Sequence, residues 1–358
     1  MRFAVRLITL LAGLCVLGGT TQAEPQKRLG EYCLTHIFTP DFDHQLDFHV
    51  TGINDKGEIV GYGAGPPASQ GAFLWRKGQF IDLGAQIGHA VTFAFGINDH
   101  GDVVGSYSDD GREFQAFLLR HGRVIDIQGV PGVGSTHATA VNNKRQVIVG
   151  RGVSNSMWER GSATLLEPLE PGGQAFARGM NDRGIIVGAS LPPDGFPARP
   201  VLWQDGTVMN LGMPEVAESA DTVDVNNRGQ VAVNVSTHID GGDVRLPFIW
   251  QEGEFVELPV MGDSPEGALL SGINDQGVAV GGTSRTVGDS GEAFPTVWRD
   301  GQAADLSTLI CSGDPLQPYV DLDPRLPLLI NNRGQIVTSG IDLRIAPWHG
   351  VYLLTPKR

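Results

Sequence analysis

The sequence is short of positive charge, of cysteine and of long apolar runs, and each shortage narrows what it does. Lys and Arg total 26 against 40 Asp and Glu, a formal charge of −14. Such a surface repels phosphate backbones and anionic lipid, which excludes nucleic acid and membrane surfaces as partners. The longest apolar stretch, Leu7 to about Gly19, is about a dozen residues, short of the roughly 20 that a bilayer-spanning helix needs. Also missing are a nucleophile elbow, a paired-histidine metal motif and a phosphate-binding glycine loop ahead of a helix. No cofactor and no metal site is therefore expected. Charged residues make up only 18% of the chain, and apolar residues rarely fall at helical spacing. With 49 glycines, this composition points to an all-β chain of many short strands joined by tight turns.

The N-terminus carries Arg2 and Arg6, then the apolar stretch, then Thr21-Gln22-Ala23 before the first acid, Glu24. This is the pattern of a secretory signal peptide over residues 1–23, with cleavage after Ala23 and a secreted or periplasmic product. Leu14 precedes Cys15 where a lipid-attachment site normally has a small residue, which argues against lipidation.

One five-residue core recurs seven times: Ile53–Gly57, Ile97–Gly101, Val141–Arg145, Met180–Gly184, Val225–Gly229, Ile273–Gly277 and Ile330–Gly334. The starts are 44, 44, 39, 45, 48 and 57 residues apart, the spacing of propeller blades. Each core is followed by a β-branched strand, a variable loop, a third strand, a short turn and a fourth strand. Trp75, Trp158, Trp203, Trp250 and Trp298 share one place in the third strand, with Leu119 and Leu354 in the other two copies. The expectation is a seven-bladed β-propeller of four-stranded antiparallel blades occupying residues 24–358, a single domain and a monomer.

At these motifs the chain resembles the HAF family of extracellular repeat proteins, whose units read GINDxGxVVG, then HAFLWxxG, then DLG. The resemblance covers residues 48 to 358 and implies export and repetition, with no activity attached. Gly71 and Gln115 stand where the family has its eponymous His, and Arg145 and Val149 replace glycines in the third copy. These departures weaken any role for that His.

Asn follows the aliphatic residue in every core, at Asn54, Asn98, Asn142, Asn181, Asn226, Asn274 and Asn331. Asn tolerates left-handed backbone and bonds its own chain two residues on, so these read as hairpin turns; as calcium loops they offer too few oxygens. The repeated Trp could stack on sugars or pack blade against blade, and regular repetition on an alternating strand favours packing. The seventh repeat lacks a fourth strand, and Tyr32–Ile37 is expected to supply it and close the ring. Cys33 on that strand and Cys311 in the long excursion of residues 305–328 are expected to form a disulfide, the alternative being two separate buried thiols.

Variable loops gather on one face, the expected binding surface. Four residues before each aliphatic core position stand His49, Phe93, His137, Phe176, Asp221, Leu269 and Leu326, expected to ring the channel mouth, with Arg178 one step inward. The leading reading is a non-catalytic binding propeller for a glycan, peptide or exported protein. The alternative is an enzyme acting on extracellular carbohydrate through His49, His137, Asp221 and Arg178, and a third is a passive scaffold.

Overall fold

The computed structural model describes residues 30–37, 48–65, 69–129, 136–151, 154–239, 241–262, 266–287, 290–323, 328–344 and 349–357. The expected signal peptide lies outside them. Each repeat core folds as anticipated into the turn of a blade's first hairpin. The Asn Oδ1 accepts the N–H two residues on and the N–H four residues on, as Asn54 does from Lys56 and Glu58 at 3.0 Å. The glycine that follows takes positive φ, 74° at Gly57 and 81° at Gly101. Arg145 is forced to the same conformation, φ 65°, where the third core has lost its glycine.

From each turn an antiparallel sheet grows outward, four-stranded and in chain order in blades one to six. In blade one the strands are Phe48–Ile53, Ile59–Gly65, Ser69–Arg76 and Gln79–Asp82. Seven such sheets stand around one axis with their first strands innermost, so the chain is a seven-bladed β-propeller.

Two closed rings of hydrogen bonds tie the blades together beneath the channel. Each core Asn donates its Nδ2–H to the backbone carbonyl of the next core Asn at 2.8–3.1 Å, ending with Asn331 onto Asn54. The residue after each Asn donates its backbone N–H to the corresponding Asp or Asn Oδ1 of the next blade at 2.7–2.8 Å, ending with Asn332 onto Asp55. The Asn is thus both turn-former and inter-blade clamp, and all seven are buried.

The repeated tryptophans are buried, as the packing reading requires. Each faces the preceding blade. Trp203, for example, packs with Ile148 and Leu166, and Trp250 with Leu202 and Leu211.

Blade seven is closed by the N-terminal strand. Tyr32–His36 lies antiparallel to His349–Pro356 in the outermost position, with Leu34 opposite Leu354. The Cys311 N–H donates to the Tyr32 carbonyl at 2.8 Å, and Asp314 Oδ2 accepts the Leu34 N–H at 2.7 Å. These bonds bring the Cys33 and Cys311 Sγ atoms to 2.7 Å as free thiols. The expected juxtaposition is present and the covalent bond is not.

The inner strand of blade seven departs from expectation. It comes in two pieces, Val320–Asp323 and Leu329–Ile330, both paired to Ile336–Asp342. The long excursion therefore contributes a strand segment of its own.

Candidate functional site at the channel mouth

The first strands start on the face from which the variable loops emerge, and their ladders fix seven equivalent places. His49 pairs with Tyr62, Phe93 with Ser106, His137 with Gly150, Phe176 with Ala189, Asp221 with Asn234 and Leu269 with Gly282. In blade seven the same register place, opposite Ser339, is held by Asp323. The expectation of Leu326 is thereby corrected, because the excursion supplies this half of the strand; Leu326 lies outside the described residues. Six first strands carry a β-bulge, which adds Thr51, Phe95, Thr139, Arg178, Val223 and Ser271 beside the mouth positions. Glycine on the second strand lets the ladder close tightly there, since a Cβ at Gly105 would run into the Phe93 carbonyl oxygen.

The structure sorts the expected site residues into two groups. On blades one to three the rings form a continuous array. His49 stacks on Tyr62 at 4.9 Å between centroids, and Tyr62 meets Phe93 edge-on at 4.7 Å. Phe93 reaches Phe95 at 5.9 Å and Phe114 at 5.6 Å, and Phe114 reaches His137 at 5.2 Å. His137 Nδ1 lies 2.8 Å from Ser106 Oγ, which fixes the ring's orientation. His49 is exposed and the other rings of the array are half-buried, so they present faces and edges to the channel rather than filling a core.

The second group lies on blades four and five. Arg178 pairs with Asp221 at 3.2 Å, and Phe176 stands two residues before Arg178 on the same strand. Burial pushes the Asp221 carboxyl up from its ordinary range, with Arg178 pulling it back. Among the described residues its Oδ1 has no hydrogen-bond partner. The mouth is therefore two-sided: flat apolar rings on one half and a half-buried ion pair on the other.

Tyr62, Phe95 and Phe114 escaped the sequence reading, which considered one residue per first strand. Tyr62 lies on a second strand, Phe95 is a bulge residue, and Phe114 sits in a variable loop. The signal available was the concentration of aromatics in the first two repeats.

At the other end of the channel, the seven turns enclose an almost wholly polar cavity of about 170 Å³. Asp224 opens onto it from blade five, where Gly52, Gly96, Ala140, Gly179 and Gly272 leave the equivalent places small. Its carboxylate accepts the Val225 N–H at 2.8 Å and the Ile273 N–H at 3.2 Å. Burial outweighs these bonds and pushes its pKa up to about 6. A folded pKa above the unfolded value of about 3.9 gives stability that is complete below pH ~4 and lost as pH rises through about 6. Asp224→Ala is expected to flatten that slope. The wild-type loss over the window, allowing for the side chain's reach to channel solvent, is about 1–2 kcal/mol. Denaturant melts between pH ~4 and ~7 measure the slope, and an equal slope in both proteins refutes the assignment.

No protein-family model matches the chain, and no curated protein sequence matches it. Among solved structures, the β-propeller domain of the Trilobed protease from Pyrococcus furiosus, described as having an open velcro topology, is similar over 86% of this chain and 93% of that one. The TM-score is 0.52 and the identity 9%. The polysaccharide lyase Uly1 covers 94% of each chain at TM-score 0.46 and 9% identity. A gluconolactonase, XC5397 from Xanthomonas campestris, covers 92% of this chain and 91% of its own at TM-score 0.38 and 13% identity. At 9% identity the likeness to the Trilobed protease domain speaks for the propeller fold alone.

Proposed function

We propose that this chain is an exported, non-catalytic binding module that holds a glycan against the aromatic half of its channel mouth. The observation that carries the reading is the unbroken array from His49 through Tyr62, Phe93, Phe95 and Phe114 to His137. Flat apolar faces bordered by imidazoles, a hydroxyl and an ion pair suit a ligand with an apolar face and a hydroxylated rim. The leader-like N-terminus and the resemblance to HAF repeats support a periplasmic or extracellular location. In that compartment the juxtaposed Cys33 and Cys311 are oxidised to a bridge.

A glycan array probed with residues 24–358, with and without calcium, tests the reading. Phe93→Ala and Tyr62→Ala are each expected to weaken the strongest hit about tenfold or more, the loss typical of a central aromatic contact. Met209→Ala, on the outer strand of blade four, is expected to leave it unchanged. Binding that survives both aromatic substitutions excludes this site, and silence on the array together with capture of a peptide or exported protein replaces the glycan.

A second reading, an enzyme acting on extracellular carbohydrate, draws on Asp221, whose raised carboxyl and unpaired Oδ1 stand beside Arg178. It requires that a bound glycan come off the array shortened, and that Asp221→Asn abolish the cleavage while retaining the binding.

A further inference from the structure

Five of the seven blade interfaces contain the repeated tryptophan, and the other two differ in how its absence is met. At the interface of blades six and seven, Leu354 is backed by Tyr32, Leu306 and Ile310, brought in by the closing strand and the excursion. At the interface of blades one and two, Leu119 packs with Leu83 and Ile87 of blade one, and its cross-strand neighbour is the small Val124 where blade one has Phe80 opposite Trp75. A cavity of about 280 Å³ remains there, walled by Leu74, Ile81, Leu83, Val103 and Leu119.

We infer that this cavity is a binding pocket for a flat bicyclic aromatic group of the size of an indole. The inference is independent of the mouth and of any glycan. Its size is sufficient, since a dry cavity of about 150 Å³ already accepts benzene. Its shape follows from the repeat, because an indole lies against aliphatic residues of the preceding blade at the five other positions. At two of them the indole also donates its N–H, Trp203 to the Glu167 carbonyl and Trp298 to the Pro259 carbonyl, both at 2.8 Å.

Asp102 also lines the pocket, with a side chain only 1% exposed. Its Oδ2 is held by Arg145 Nε at 2.8 Å and by Asn98 Nδ2 at 3.2 Å, so its charge is met. With Arg145 balancing Asp102 and Glu58 balancing Arg76 at the pocket edge, a neutral ligand fits better than a cation.

The test is a titration of the folded chain with indole, read by ligand-observed NMR. Saturable binding is expected, at least tenfold weaker in Leu119→Trp, which restores the repeat's own side chain and fills the cavity. Should that variant fail to fold, Leu119→Phe fills much of the same space and is expected to lose binding in the same direction. N-Acetyltryptophanamide run in parallel assigns the source: preference for it indicates a tryptophan side chain of a partner, preference for indole a free small molecule. Absence of saturable binding by either, or binding unaffected by filling the pocket, overturns the proposal.

Discussion

Reduction of the oxidised protein is expected to cost about 3–4 kcal/mol of stability, read as a fall of several degrees in melting temperature. Cys33 and Cys311 are 278 residues apart in sequence, so a bridge between them closes a loop spanning nearly the whole ring. In the chain-entropy account a long loop gives the larger stabilisation. The strand that carries Cys33 is the outermost strand of its blade, held on one side by the ladder to His349–Pro356 and on the other by the Tyr32–Cys311 and Leu34–Asp314 hydrogen bonds. Both of those bonds depend on the excursion staying docked. Cys33→Ser and Cys311→Ser should each bring the protein to the reduced level and make it indifferent to reductant, and the double variant should add nothing further. Contact with Cys33 and burial push the Cys311 thiol up to about 11, which slows its alkylation in the folded chain. Free thiols are therefore to be counted after denaturation in the presence of the alkylating agent. Two alkylatable thiols in protein recovered from an oxidising compartment, with melting unchanged by reductant, would remove the bridge from the account.

What was legible in the sequence was whatever the chain repeats. The seven Asn-Asx cores marked the number of blades, because the Asn that forms the turn also bonds the neighbouring blade and is present at every copy. The spacing of Trp75 and its equivalents fixed the third strand, and the shortfall of one strand in blade seven pointed to Tyr32–Ile37. What the chain does once was not legible. The segment Val320–Asp323 completes an inner strand from within the 57-residue interval, where no repeat spacing marks it. The bulges insert one residue into six of the first strands, so a strict two-residue alternation misses Phe95 and places Arg178 only by its neighbourhood to Phe176. The pocket beside Leu119 was visible as a missing Trp, yet the same substitution at Leu354 is backed by Tyr32, Leu306 and Ile310, residues distant in sequence. Propeller geometry follows from local rules, and its exceptions are settled by tertiary contacts.

The clamp role of the core Asn predicts a loss larger than that of an ordinary turn residue. Asn226 accepts the N–H groups of Arg228 and Gln230 at 3.0 Å, and donates to the Asn274 carbonyl at 2.9 Å and to Gln230 Oε1 at 2.8 Å. Asn226→Ala leaves two part-buried donors and one buried carbonyl of the next blade without partners, for an expected cost of about 2–3 kcal/mol. Asn226→Asp separates the turn from the clamp. It keeps the acceptor for both N–H groups, and so keeps the turn, but sets a carboxylate oxygen against the Asn274 carbonyl. Burial and that repulsion hold the new carboxyl above its ordinary range, so the folded pKa exceeds the unfolded one. The variant should therefore be destabilised by about 2–3 kcal/mol near neutrality and recover as pH falls, when the protonated oxygen again donates to the next blade. Asn226→Ala has no such recovery. Denaturant melts of the two variants against wild type, at neutral pH and near pH ~4, distinguish the cases: parallel deficits at both values would reduce Asn226 to a turn residue, while acid recovery confined to the Asp variant would establish that the side-chain amide is what binds one blade to the next.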